Sequence, residues 1–109
     1  MAKVTLRNSF LQIYKETTEY SYQNFGRLCV QRFDESLQAI INRLSKHPLS
    51  SPREPLLKQF HRPYHSTIIK EKWKIIYRYD EANDLVIFVD LWDMRRSPRY
   101  LIRQFKRKL

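Results

Sequence analysis

Between Arg95 and Leu109 there are seven cations and no acid: Arg95, Arg96, Arg99, Arg103, Lys106, Arg107 and Lys108. Arg95, Arg96 and Arg99 directly follow a run of strand character, and Pro98 stiffens the turn that carries them. Arginines held in place beside a sheet face with aromatic groups suit contacts with phosphates and bases. Lys106–Lys108, by contrast, read as a solvated terminal tail. Upstream, Lys74 and Arg78 alternate with Ile76 on one side of a strand, adding cations to an otherwise apolar face.

Other site chemistries find less support. His61 and His65 have H-x-x-x-H spacing, but Pro63 lies between them and no Cys or acid stands nearby as a third ligand, so they read as ordinary loop and strand histidines. Cys29, the only cysteine, sits beside a helical core stripe and reads as a packing residue. No G-x-S-x-G serine motif is present. The only glycine is Gly26, which excludes glycine-rich nucleotide loops. Asp90 and Asp93 are too few, in too basic a setting, for a two-metal nuclease. No metal and no cofactor is expected.

The elements that must position these residues follow from periodicity. Lys3–Arg7 reads as a short strand. Ser9, with Gln12 three residues on, has capping-box spacing for a first helix that should stop at Gly26 in a left-handed conformation. Val30, Phe33, Leu37, Ile40, Ile41 and Leu44 share one face of a second helix, which Pro48 ends. The short connection Asn24–Arg27 makes the two helices an antiparallel hairpin. His47–Pro63 is a proline-punctuated connector, extended and on the surface, with Leu56, Leu57 and Phe60 as points where it meets the core. Tyr64–Ile69, Trp73–Tyr79 and Leu85–Trp92 read as three strands joined by hairpin turns, and Pro98 onward as a last short helix.

Strict alternation sets the expected faces. Trp73, Ile75, Tyr77 and Tyr79 face one way with Leu85, Ile87, Val89 and Leu91, and this apolar face should carry the helical hairpin. Lys74, Ile76 and Arg78 then share the opposite face with Val86, Phe88, Asp90 and Trp92. A turn centred on Ala82 places residue 79 across from 85, 76 from 88 and Lys74 from Asp90. The mixed face is either a binding surface or the partly solvated side of an antiparallel sheet.

The chain has 109 residues, 42% hydrophobic and 14% aromatic, enough for one modest core. Residues 1–109 therefore read as a single domain. Against 21 Lys and Arg there are 11 Asp and Glu, a formal charge of +10, which favours an anionic partner: nucleic acid, ribosome or an acidic protein. The longest apolar run, Leu85–Val89, is far short of the roughly 18 residues of a membrane span. The N-terminus turns polar by Arg7 and does not read as a secretory signal, so the expected location is cytoplasmic and no membrane partner is expected.

The ordered set of a strand, a helical hairpin and then antiparallel strands carrying Lys72-Trp73-Lys74-Ile75-Ile76-Tyr77-Arg78-Tyr79 and Val89-Asp90-Leu91-Trp92-Asp93-Met94-Arg95-Arg96-Ser97-Pro98 resembles the RelE/ParE superfamily of bacterial toxins. Val30-x-x-Phe33 and Leu44-x-x-x-Pro48 resemble that family's second helix and its exit. The resemblance covers roughly Lys3–Leu101. It implies an α+β fold, with the helical hairpin packed on an antiparallel sheet of about four strands and a short C-terminal helix. It also implies the toxin of a type II toxin–antitoxin module, often plasmid-borne, whose growth inhibition is neutralised by a cognate antitoxin, here expected to be acidic.

One branch of that superfamily cleaves mRNA on the ribosome and another poisons DNA gyrase without being a nuclease. Matched by position to the ribonuclease branch, Lys74, Arg95 or Arg96, and Tyr100 take catalytic places. Lys70 and Lys72 stand near the lysines of the second strand, and Arg78 and Arg99 add nucleic-acid contacts. The sequence departs from that branch in having lysine rather than arginine on the third strand and no C-terminal histidine, and a one-residue shift puts Met94 at the arginine place. In metal-free RNA cleavage, a lysine base would activate the 2′-hydroxyl, an arginine would stabilise the phosphorane, and Tyr100 would stack on a base or help donate a proton. Ile76, Phe88 and Trp92 are the expected anchors for the antitoxin. Ribosome-dependent mRNA cleavage leads, ahead of gyrase inhibition and of a non-enzymatic nucleic-acid-binding regulator.

Overall fold

The apolar positions sort onto two sides of a four-stranded sheet in the computed structural model, which describes residues Met1–Leu109. Along the chain run β1 (Lys3–Leu6), α1 (Asn8–Phe25), α2 (Arg27–Lys46), a 3₁₀ turn (Pro55–Leu57), β2 (His65–Ile69), β3 (Trp73–Asp80), β4 (Leu85–Asp93) and α3 (Pro98–Arg107). The sheet order is β1-β4-β3-β2. β2, β3 and β4 pair antiparallel, but β1 runs parallel to β4, so the sheet is mixed rather than antiparallel throughout. A parallel pair needs a long crossover, and the helical hairpin supplies the first part of it.

The hairpin has a one-residue joint. Gly26 both ends α1 and precedes α2, with φ 86° and ψ −178°, a positive φ but an extended ψ in place of the expected left-handed helical cap. A Cβ there would meet nothing within 4 Å, so the backbone angle and not crowding calls for glycine. Ser9 is not the cap of α1: the helix starts at Asn8, and the Ser9 hydroxyl donates instead to the Val89 carbonyl at 2.6 Å. That bond ties the first turn of α1 to β4.

Two cores result. Phe10 of α1 and Phe33, Leu37 and Leu44 of α2 pack on Ile69, Ile75, Tyr77, Val86, Phe88 and Leu91. On the other side Ile76, Ile87, Val89 and Trp92 are covered by Leu57 and Tyr64 and by Leu101 and Phe105 of α3. Phe105 meets the rings of Tyr64, Phe60 and Trp92 edge-on, at centroid distances of 4.9, 5.4 and 6.2 Å. The mixed sheet face is therefore a second core, neither open nor solvated. Part of the connector is buried as well, at Ser51, Glu54 and Leu57.

The β3–β4 register departs from strict alternation for two reasons. The turn holds four residues, Glu81–Asp84, with Asp84 at φ 48°, so Tyr79 lies across from Val86. A bulge then leaves Val89 unpaired between Tyr77↔Phe88 and Ile76↔Asp90, which puts Lys74 opposite Trp92 and not Asp90. The extra residue reverses the alternation of β4. Val86, Phe88 and Leu91 face the hairpin, while Ile87, Val89 and Trp92 face α3. Lys74 and Arg78 do lie on the side away from the hairpin, as β3 alone required.

Asp90 pairs with Lys108, which therefore is not part of a loose tail. Lys108 Nζ donates to Asp90 Oδ1 at 2.6 Å, Trp92 Nε1 donates to Oδ2 at 2.8 Å, and the Leu91 amide donates at 2.9 Å. Burial pushes the Asp90 carboxyl above its ordinary value, and the Lys108 and Trp92 interactions only partly offset it. The folded state then holds this proton more tightly than the unfolded chain, so Asp90 favours folding less as pH rises through the raised value. We predict that Lys108→Ala destabilises the fold by about 1–3 kcal/mol in urea unfolding, because it removes a charged donor from a buried acceptor. Its deficit should grow from acid to neutral pH as the orphaned carboxylate ionises, and Asp90→Asn should cost less than Lys108→Ala at neutral pH.

Candidate functional site

The β2–β3 turn and the end of β4 come together beside the tip of the hairpin. Lys70 and Glu71 take positive φ values of 52° and 62°, a costly conformation for residues with side chains, in a chain whose single glycine is used elsewhere. The Met94 amide donates to the Lys72 carbonyl at 2.9 Å, which fixes this turn against the exit of β4. Lys70, Lys72, Arg95 and Arg96 thereby rim a groove of about 620 Å³ whose other wall holds Tyr20, Phe25, Cys29 and Phe33. A smaller pocket of about 240 Å³ contains Arg96 with Tyr100, Trp73, Trp92 and Gln104. Arg96 is shared by the two.

Each cation has a distinct electrostatic setting. Arg95 is clamped by Asp93: Nε to Oδ1 and Nη2 to Oδ2 are both 2.9 Å, and the Arg95 amide donates to Oδ1 at 3.0 Å. The Arg95 hydrogen bonds hold the Asp93 carboxyl below its ordinary value. With 63% of the Arg95 side chain exposed, this pair orients the arginine more than it stabilises the fold. Arg96 has no acidic partner and lies over the Tyr100 ring, 4.8 Å from its centroid. Ser97 caps α3 through a bond from the Tyr100 amide at 3.1 Å, and Pro98 occupies the first turn, so Tyr100 stands on a fixed helix start.

Lys74 is placed elsewhere. Its Nζ donates to Glu54 Oε1 at 2.7 Å, and that same oxygen accepts from Ser66 Oγ at 2.9 Å, while Oε2 accepts from the Leu56 amide at 3.0 Å. Only 1% of the Glu54 side chain is exposed. The neighbour of Lys74 is thus a buried acid and not other cations, and Lys74 lines neither the groove nor the smaller pocket. Of the expected catalytic set, Arg95, Arg96 and Tyr100 come together and Lys74 does not join them. Lys70 and Lys72 meet them at the groove, whereas Arg99 is exposed on α3 outside it. Arg78 lies toward the opposite end of β3, in a separate cleft.

The expected antitoxin anchors are also displaced. Phe88 faces the hairpin, and Ile76 and Trp92 are sealed beneath α3, so none of the three offers exposed area as the chain is folded here. Phe88 turns over because the four-residue turn shifts the register ahead of the Val89 bulge, whereas Ile76 and Trp92 keep their expected face and α3 covers it. The exposed aromatic residues are instead Tyr100 on α3 and Tyr20, Tyr22 and Phe25 near the hairpin tip, with Tyr20 and Phe25 edge-to-face at 6.4 Å. The sequence signal for the hairpin-tip group is that Tyr20, Tyr22 and Phe25 stand among polar residues in the last turns of the first helix. Glu54 gave none, because its partner Lys74 lies 20 residues away. No three His, Cys, Asp or Glu side chains gather where they could hold a metal ion.

The α+β fold is shared with bacterial toxins of known structure. A metal-bound toxin from Helicobacter pylori aligns at a TM-score of 0.61 and 15% identity, covering 87% of this chain and 97% of that one. A copper-bound mutant toxin from the same organism aligns at 0.61 and 22% identity over the same shares. The isolated RelE toxin of E. coli aligns at 0.59 and 13% identity over 100% of both chains. No match is found among curated proteins. The chain belongs to the ParE toxin family of type II toxin–antitoxin systems (parDE), whose model matches residues 4–98. It is a type II toxin, and an antitoxin is its partner.

The Lys74–Glu54 pair yields a direct test. Burial by itself would raise the Glu54 carboxyl, but the hydrogen bonds from Lys74, the Leu56 amide and Ser66, with the charge of Lys74, outweigh it and hold the group below its ordinary value. Its stabilising contribution is therefore full above the ordinary glutamate range and lost as pH falls through the lowered value. Lys74→Met should cost about 3 kcal/mol at neutral pH, since it leaves a buried carboxylate unpaired, and the double variant Lys74→Met/Glu54→Leu should recover most of that loss. Urea unfolding of the three proteins across acid and neutral pH measures both effects.

Proposed function

We propose that this toxin arrests growth by binding DNA gyrase through the groove, without cleaving RNA. The observation that carries this reading is the pairing of Lys74 with the buried Glu54 carboxylate at 2.7 Å. A general base must reach the proton it removes, and Lys74 is turned into a structural ion pair on the far side of the sheet from the groove. Arg95 is likewise paired with Asp93, so of the expected catalytic set Arg96 and Tyr100 are free to act on a ligand, beside the unpaired Lys70 and Lys72 of the rim. A stacked arginine and tyrosine beside exposed aromatics suit recognition, and a poison needs a binding surface only. Membership of the ParE family supports the same choice. The groove's cationic rim and aromatic wall also suit an acidic, amphipathic antitoxin segment, which would neutralise the toxin by occupying it.

The discriminating experiment induces the toxin and, within minutes, maps mRNA ends and measures plasmid supercoiling. The expected outcome is growth arrest with intact mRNA and impaired supercoiling. Tyr100→Phe should keep full toxicity, because only the ring is used, while Arg96→Ala should relieve arrest with the fold intact. Specific mRNA cleavage, reduced by about 10²–10³ in Arg96→Ala or Tyr100→Phe, would return the site to the ribonuclease chemistry.

A further inference from the structure

A second concentration of positive charge lies at the other end of the sheet. Arg53, Arg62 and Arg78 line one cleft of about 750 Å³, with His65 and Tyr79. None of the three arginines is in a salt bridge. The Arg78 Nε is shielded from solvent and has no hydrogen-bond partner, an uncommon state for a charged donor. Burial, followed by the charges of Arg62 and Arg7, pushes the Arg78 guanidinium below its ordinary value, against the weaker opposing charges of Tyr64 and Asp80. Like charges are thus held together here, around a donor that lacks an acceptor.

The scaffold fixes this arrangement. Arg78 belongs to β3, opposite Ile87. Arg53 is tied to the edge strand by its bridge to His65, whose ring Nδ1 lies 2.8 Å from the Ser51 carbonyl and stacks on Tyr77. Arg62 precedes Pro63 and the buried Tyr64. Asp80 and Glu81 stand in the same cleft, but Asp80 is occupied by the Asn83 side chain at 2.8 Å within its own turn. An extended run of phosphates would meet these two carboxylates, whereas a single compact anion between the guanidinium groups would not.

We infer that this cleft binds one phosphate group, presented by a nucleotide or by the end of a nucleic-acid strand. Guanidinium forks match the geometry of phosphate oxygens in pairs, and a tetrahedral oxyanion accepts from several arginines at once. This site is separate from the groove and does not depend on the gyrase reading. The volume leaves room for a nucleoside attached to the phosphate.

The test follows the arginine Nε–Hε signals of the full chain by NMR, titrated with inorganic phosphate, with ATP, and with a short single-stranded DNA with or without a 5′-phosphate. The Arg78 Nε–Hε signal should shift and saturate with phosphate and ATP, and with the phosphorylated strand more tightly than with the unphosphorylated one. Arg62→Ala, a change in an exposed loop, should weaken binding about tenfold or more without altering the fold, and Arg78→Lys should weaken it while keeping the charge. Tighter binding by ATP than by the phosphorylated strand would assign the site to nucleotides, and the reverse order to strand ends. Shifts that never saturate, or that fall equally on Arg95 and Arg96, would overturn the proposal. So would an oligoglutamate peptide that saturates the Arg78 signal and displaces phosphate.

Discussion

Two buried carboxylates hold the α3 side of this molecule together. Glu54 and Asp90 each expose only 1% of their side chains, and each takes a lysine, Lys74 at 2.7 Å and Lys108 at 2.6 Å. Each pair also secures a segment that sequence alone would leave loose. Glu54 fastens the proline-rich connector through Ser66 and the Leu56 amide, and Asp90 fastens the end of α3. Isolated charges in such positions would be prohibitively costly, so every remaining acceptor is met by a backbone or side-chain donor. The second core, with Phe105 among Tyr64, Phe60 and Trp92, packs between these two ties.

This arrangement decides where the surplus charge goes. The chain carries +10 overall, and the lysines consumed by buried acids are withdrawn from the surface. The exposed arginines and the lysines of the strained β2–β3 turn then gather at two places, the groove beside the hairpin tip and the cleft at the far end of β3. In the groove, cations face an aromatic wall, and Arg96 stacked on Tyr100 presents both kinds of contact together. Such a surface recognises a partner through area and charge, with electrostatic attraction speeding the encounter. Lys74 is not part of this surface, while Lys70 and Lys72 are.

Much of the architecture was legible because periodicity is local. The helices, the three C-terminal strands and the last helix fell close to their observed bounds, and Gly26 and Pro48 marked real ends. The groove's basic rim was legible too, since Lys70, Lys72, Arg95 and Arg96 lie within short turns next to strands. What was not legible depends on events without a local signature. The unpaired Val89 reverses the faces of β4, and nothing in the run Leu85–Trp92 distinguishes a bulge from regular alternation. The non-glycine positive φ values at Lys70, Glu71 and Asp84 supply tight turns in a chain whose one glycine stands elsewhere. The burial of Ile76 and Trp92 required knowing that α3 folds back onto the sheet, and the Glu54–Lys74 and Asp90–Lys108 pairs join residues 20 and 18 positions apart.

Glu54 and Asp90 are buried, paired anchors, and Lys74 is held as one half of such a pair. Carboxyl ¹³C NMR titration of the two acids in the folded toxin addresses it without reference to any target. Glu54 should titrate below its ordinary value of 4.5 and Asp90 above its ordinary value of 3.8, two carboxyls of one core displaced in opposite directions. In Lys74→Met the Glu54 transition should move upward while Asp90 stays in place. Ordinary titration of both groups, or a Glu54 transition indifferent to Lys74, would contradict the claim and free Lys74 for chemistry.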